Sequence, residues 1–372
     1  MSPYIRDLEE QAAAAAHAPE RARIEAMAGC YWARVGAFPE AERIRDRLRA
    51  GFGSGEFPEV SLTLMMLDAM LSFYRDQSKS SLSRSRAAHL LASSLRLRRE
   101  QAFCGAWVAH FEFNQCNWRA TADALESALA AADESERSPL ARICQVVADV
   151  HLHCGDEVLA RAWQGQAHSL LTGLGDHAAI QALLWNWAAL RTHNVRLSSL
   201  SESVDPSVLQ TVGGELASAT NYQRIAKLTS LEFLLAVGSA SHAVMSGDFA
   251  RAAHTLDTIS LDGQVPAESN AQAQVFADLA LCKAHLGDFA PAKDYVEKAL
   301  TTLGRSNLGA DDVAIVAGSL EQYFLLVKDS ERSSEMRGLW LEKKVEHEST
   351  VSELRSLFSK WAVSPASRLG PY

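Results

Sequence analysis

The sequence predicts an all-α protein built as an array of about eight helical hairpins. Three observations predict it. The stretch "GDFARAA" at 247–253 returns as "GDFAPAK" at 287–293, 40 positions later. Apolar residues recur at helical spacing on both sides of each copy. The 372 residues are 48% hydrophobic and 22% charged, enough to bury a sizeable core, with no uninterrupted apolar run long enough to span a bilayer.

Each element follows from that repeated turn. Gly247 and Gly287 each close an apolar-periodic helix, and the following Asp restarts the next one. Phe249 and Phe289 are expected to tuck into the gap between the two helices of their hairpin. Ala252 and Ala292 let those helices approach closely, and Ile259 and Ala299 are the next inward positions. The same ruler finds "GAFPEAERIRDRL" at 36–48, "CNWRATADALESAL" at 116–129 with Trp118 in the aromatic slot, and "GDEVLARAWQGQA" at 155–167. The anchors Ala41, Thr121, Ala160, Ala252 and Ala292 are separated by 80, 39, 92 and 40 positions. The gap of 80 admits one more hairpin, at 62–75 with 82–99. The gap of 92 admits another, at 177–193 with 206–219, plus an excursion through "SSLSESVDPS". Further helices are expected at about 310–328 and 332–361. The expected organisation is a hairpin array over 1–330, a long C-terminal helix over 331–362 acting as cap or interaction surface, and a loose tail over 363–372.

The copy at 273–303 carries Phe276, Leu279, Ala280, Gly287, Asp288, Phe289, Ala292, Ala299 and Leu300. It resembles the tetratricopeptide repeat, with its small residue in the first helix, its Gly–Asp–aromatic turn and its two alanines in the second helix. The units here run 39–40 residues where that family usually has 34, which makes them similar to the helical sensor domains of MalT-type bacterial transcription activators. The resemblance implies a right-handed superhelical solenoid whose concave wall is formed by the first helix of each hairpin. It further implies that the wall binds a peptide or a partner helix.

Counting back from each anchor places wall positions on those first helices. They include Gln145 in the fourth unit, Val237 and Ser241 in the sixth, and Gln274 in the seventh. The candidate partner-binding residues are Met66, Met70, Tyr74, His110, Asn114, Asp149, His153, Asn186, His193 and Asn194. Asn114, His153 and Asn194 hold the same register in three successive units, and amide and imidazole groups suit a peptide backbone that needs donors and acceptors. Met66 to Tyr74 would suit an apolar anchor. The bland reading is that the polar set caps helix ends. The Lys/Asn/Asn/Lys/Arg clamp of chaperone-tail adaptors is absent, since Ala26, Cys30, Met66, Met70, Ala106 and His110 hold the equivalent places.

Enzyme chemistry is not expected. No HExxH, GxSxG or Walker lysine motif occurs. In "HLHC" the neighbours His151, His153 and Cys154 point to different helix faces, so no metal or other cofactor is expected. Net charge is −9, with 15 basic and 13 acidic residues in the first hundred and 21 against 32 in the rest. That balance argues against nucleic-acid or anionic-membrane partners, and the N-terminal arginines read as a solvated face. The start "MSPYIRDLEE" lacks the apolar core of a signal peptide, and the six cysteines form no paired spacing. A cytoplasmic, regulatory interaction module is expected, with a possible homodimer through the C-terminal helix. The alternatives are a ligand- or peptide-responsive sensor and, third, an enzyme or enzyme subunit with an unrecognised site.

Overall fold

A computed structural model describes residues 2–261, 265–266, 269–304 and 308–369. Among the described residues the secondary structure is entirely helical. After α1 (Pro3–Ala14) come eight helical hairpins in chain order. They are α2/α3 (Ala18–Val35, Phe38–Phe52), α4/α5 (Pro58–Asp76, Ser80–Ser94), α6/α7 (Arg98–Phe113, Trp118–Ala131) and α8/α9 (Arg137–His153, Glu157–Leu174). The later four are α10/α11 (His177–Ser198, Pro206–Ala226), α12/α13 (Glu232–Met245, Phe249–Leu261), α14/α15 (Ala271–His285, Phe289–Leu303) and α16/α17 (Ala310–Leu326, Ser330–Leu357). A 3₁₀ turn (Ser359–Trp361) and α18 (Pro365–Leu369) follow. Of the segment read as a loose tail, 365–369 are helical, and 370–372 lie outside the described residues.

The hairpin turn has one recurring conformation. Gly36, Gly155, Gly247 and Gly287 take φ of 88°, 77°, 74° and 85° between their two helices. Gln77, Cys116 and Lys328 take the same left-handed conformation in three other hairpins, at φ 50°, 57° and 61°. At two of the glycine turns the next residue caps the following helix: Asp156 Oδ1 accepts from Leu159 N at 3.2 Å and Asp248 Oδ1 from Arg251 N at 3.2 Å, whereas Asp288 makes no such side-chain bond. At Gly36 the absence of a Cβ also has a packing reason, because one there would lie 2.7 Å from the backbone nitrogen of Ser230.

Three of the turn aromatics reach beyond their own hairpin, although Trp118 also meets Phe113 within it at 5.7 Å. Phe249 stacks on His285 of the following hairpin, ring centroids 3.7 Å apart and 5° from parallel. Trp118 meets His153 at 5.2 Å, and the Arg75 guanidinium lies 5.1 Å from the Phe38 ring centre. In each case the turn of one hairpin is covered by the last residues of the next hairpin's first helix. Phe289 is exposed, at 52%.

The chain divides into two compact units. The first comprises Met1–Leu184, Tyr222–Leu231 and Leu354–Tyr372; the second comprises Trp185–Asn221 and Glu232–Glu353. In the first unit, Ala26, Leu62, Met66, Leu67, Met70, Trp107 and Phe111 belong to one continuous apolar cluster. The segment 222–231 returns to α2, where Thr229 N donates to Val35 O at 3.0 Å. The C-terminal turn docks on α8 and α9: Trp163 Nε1 donates to the carbonyls of Trp361 and Val363, and His151 Nε2 lies 3.1 Å from Trp361 O. In the second unit, Ala273, Ala277, Ala280, Ala292, Val296 and Ala299 pack with Val316, Leu320 and Met336. The small residues of α14 and α15 thus do what their spacing predicts, bringing two helices into close contact. Ala252 and Ala292 are fully buried.

Candidate functional site

Four first-of-hairpin helices of the second unit, α10, α12, α14 and α16, surround a cavity of about 170 Å³. On α10 the lining residues Trp185, Ala189, Thr192, His193 and Arg196 are three, four or one apart, which is one helical face. On α12 the same spacing puts Leu234, Val237, Gly238 and Ser241 on one side. The first turn of α14 adds Ala271 and Gln274, and the first two turns of α16 add Asp312 and Ile315. A Cβ at Gly238 would sit 3.2 Å from the Trp185 ring, a tight contact that glycine avoids.

The polar side of the cavity is anchored by a buried network. Arg196 Nη2 donates to Asp278 Oδ1 at 3.1 Å and to Ser319 Oγ at 3.0 Å. Ser319 Oγ donates to the same carboxylate oxygen at 2.8 Å, and Gln274 Nε2 reaches the other at 3.4 Å. Arg196 is 3% exposed and its Nε has no acceptor. Next to it, His193 Nε2 pairs with Asp311 Oδ2 at 2.8 Å, and its Nδ1 lies 3.9 Å from Asp312. Burial pushes the His193 pKa down, but the Asp311 contact and nearby Asp312 outweigh this and raise it to about 9. Burial and the neighbouring Asp311 raise Asp312 to about 6. An imidazolium held this firmly has little neutral form near pH 7, so His193 is poorly suited to general-base catalysis.

The expected partner-binding residues fall into three groups. Met66 and Met70 are 0% and 1% exposed and Tyr74 is buried beside Trp107, so these three belong to the apolar core instead of an open anchor surface. Their wall-facing register coincides with the face that the neighbouring helix covers. His110 is also buried; burial first, and Arg142 next, keep it neutral well below the usual histidine range. Asn114 Nδ2 approaches His110 Nε2 at 3.2 Å as the C-cap of α6, which is the bland capping reading. Asp149 is buried, and the His153 ring packs on Trp118. His153 is the last residue of α8, whereas Asn194 lies four residues inside α10, so the three-unit ladder does not share one helix-end position. Asn186 and Asn194 are half-buried. Of the ten candidates, His193 alone lines the cavity, joined by the wall positions Val237, Ser241 and Gln274.

Arg196, Asp278 and Ser319 were not singled out in the sequence. The available signal was an arginine inside an apolar helical pattern three residues after His193, with a buried-register Asp on α14. Trp187 is buried and donates to Glu215 Oε1 at 2.9 Å, leaving Trp185 as the tryptophan at the cavity. The N-terminal arginines are solvated and interleaved with acids, as in Arg43–Glu40 and Arg47–Glu25. All six cysteines are free, and five are buried.

No family model matches the chain, and no curated protein matches it. Among solved structures, it is similar to a Rap protein complexed with competence and sporulation factor. The TM-score is 0.56 at 13% identity, over 92% of this chain and 99% of the other. This likeness establishes the fold: an all-α, tetratricopeptide-like helical repeat. Among the described residues, no helix is long and apolar enough to cross a membrane.

Proposed function

We propose that this chain is a non-enzymatic binding module that takes a peptide, or an extended segment of a partner protein, on the inner helices of its second unit. The observation that carries the reading is the cavity of about 170 Å³, whose lining combines apolar Trp185, Leu234, Val237 and Ile315 with polar Thr192, Gln274 and Arg196. Its size falls below the 300 Å³ or so at which drug-sized ligands begin to fit. It suits one or two side chains of a longer ligand. The unpartnered Arg196 Nε offers a donor to a main-chain carbonyl. The solved complex of the structurally similar Rap protein with a factor supports a binding role for the fold. A cytoplasmic, regulatory setting accords with it. On the long C-terminal helix Met336, Trp340 and Leu354 are buried within the chain while Leu341 and Val345 are exposed, and a homodimer through that exposed face is carried as part of the proposal.

A second reading makes the module a sensor whose conformation answers to the ligand. It is favoured by the link from the cavity residue His193 through Asp311 to His347 on α17, at 2.8 and 3.9 Å. The near-40-residue units, similar to MalT-type sensor domains, point the same way.

Native mass spectrometry of the chain purified from its own host tests the proposal. A peptide adduct in the wild type that is lost in Gln274→Ala supports it. An adduct that survives both Gln274→Ala and Trp185→Ala moves binding elsewhere. Small-angle scattering with and without the captured ligand then separates the sensor, which changes its profile, from the plain binder, which does not.

A further inference from the structure

Three charged side chains line the cavity of the second unit: His193, Arg196 and Asp312. The two cations are held by carboxylates that do not line it. Arg196 Nη2 meets Asp278 Oδ1 at 3.1 Å, and His193 Nε2 meets Asp311 Oδ2 at 2.8 Å. Asp312 takes a more distant share of one of these cations, with its Oδ1 3.9 Å from His193 Nδ1, and is also favoured by the backbone of Gly309. Together the five groups make two cations and three carboxylates. His347, the other titratable group against Asp311, is kept neutral at pH 7 by burial. The surplus negative charge is met at the most accessible member on the lining. The Asp312 side chain is 32% exposed, against 18% for His193 and 4% for Arg196.

The apolar lining residues Trp185, Leu234, Val237 and Ile315 share the cavity with that carboxylate. A lysine or arginine side chain has the matching composition, an apolar stem that ends in a cation. Its stem suits the aliphatic lining, and an indole face is itself favourable to a cation. An acidic side chain would meet Asp312 and two cations already paired, which disfavours it. A purely aliphatic one would desolvate Asp312 with nothing in return. The Arg196 Nε without an acceptor supplies one hydrogen bond, which a main-chain carbonyl satisfies.

We propose that this cavity selects a basic residue, lysine or arginine, in the segment it binds, with the ligand cation on the Asp312 carboxylate and the stem against Trp185 and Val237. The inference rests on the binding reading above and adds its specificity. Asp312 is the residue that sets it.

The test pans a library of random hexapeptides over the immobilised full chain, both peptide ends capped so that charge enters through side chains alone. The wild type is expected to enrich lysine or arginine at one peptide position. Asp312→Asn keeps the side-chain shape and is expected to lose that enrichment, and to bind a selected basic peptide roughly ten-fold or more weakly. Asp312→Glu is expected to retain it, with melting temperatures showing that each variant folds. Because the chain carries a net charge of −9, Glu297→Gln serves as the control. It removes one charge from a side chain that is 60% exposed and should leave the enrichment intact. Basic enrichment that survives Asp312→Asn, or that falls equally in Glu297→Gln, overturns the inference. So do enriched peptides without a basic position, although they leave the binding reading standing. A chain that enriches no peptide at all overturns both.

Discussion

The Trp118 indole lies 5.2 Å from the His153 imidazole, and the two residues belong to successive hairpins. The same relation joins Phe249 to His285 and Phe38 to Arg75. These three turn aromatics are therefore between-repeat contacts, and stacking energy couples neighbouring hairpins as nearest-neighbour terms do in helical repeats. A double-mutant cycle with Trp118→Leu and His153→Ala is expected to give a coupling of about 0.5–1.5 kcal/mol, the usual range for an aromatic pair. Chemical denaturation of the four proteins measures it. Additive effects would assign the two residues independent roles.

The turn geometry explains which repeats were legible. Gly247 and Gly287 supply the left-handed residue with the amino acid that tolerates it best, so their copies stand out in the sequence. Gln77 and Lys328 hold the same conformation without glycine; the hairpin of Gln77 is placed in the sequence only by filling a gap, and the helices on either side of Lys328 read there as separate elements instead of a hairpin. Gly287 has no neighbour within 4 Å of a built Cβ, so Gly287→Ala is expected to cost about 1 kcal/mol through backbone strain alone. Lys328→Gly is expected to be neutral or mildly stabilising for the same reason. Melting temperatures of the two variants, shifting in opposite directions or with Lys328→Gly unchanged, check the assignment.

The candidate site was less legible than the fold. Helical register told which face of each first helix looks inward, and Val237, Ser241 and Gln274 lie on the cavity as that register requires. It could not tell which inward faces stay open. In the first unit large side chains such as Met70 and Trp107 fill the space; in the second, Gly238, Ala189 and Ala271 leave it. Whether space remains depends on side-chain volume summed across several hairpins, which periodicity along one chain does not encode.

Ala292 shows the opposite case, where one position is fully specified. It is 0% exposed and packs with Ala273, Ala277 and Val316 around the α14–α15 crossing. Ala292→Glu forces a carboxylate between two helices that have no room and no partner for it, at an expected cost above about 3 kcal/mol. Ala292→Ser is the milder control. A melting temperature unchanged by the Glu variant would refute the repeat register.

His193 makes the second unit's stability depend on pH in a specific window. Its pKa is raised in the folded chain from 6.5 to about 9 by Asp311 and Asp312, against the effect of burial. The groups facing it are those two carboxylates on α16 and His347 on α17, whose own pKa burial lowers, so His347 stays neutral throughout the window. Because the folded value lies above the unfolded one, the contribution is fully present below pH 6.5 and is lost as pH rises toward 9. The loss is expected to be on the order of 2 kcal/mol across that range. Asp312 titrates below the window, near 6, and the buried cysteines are pushed above it, Cys282 to about 12. Urea denaturation of the wild type at pH 6.5, 7.5 and 9 should therefore show a falling midpoint. His193→Gln should flatten that fall while lowering stability at pH 6.5, because Asp311 loses its cationic partner. An identical slope in the variant would place the pH dependence on other groups and remove His193 from its role as the charged link between the cavity and α16.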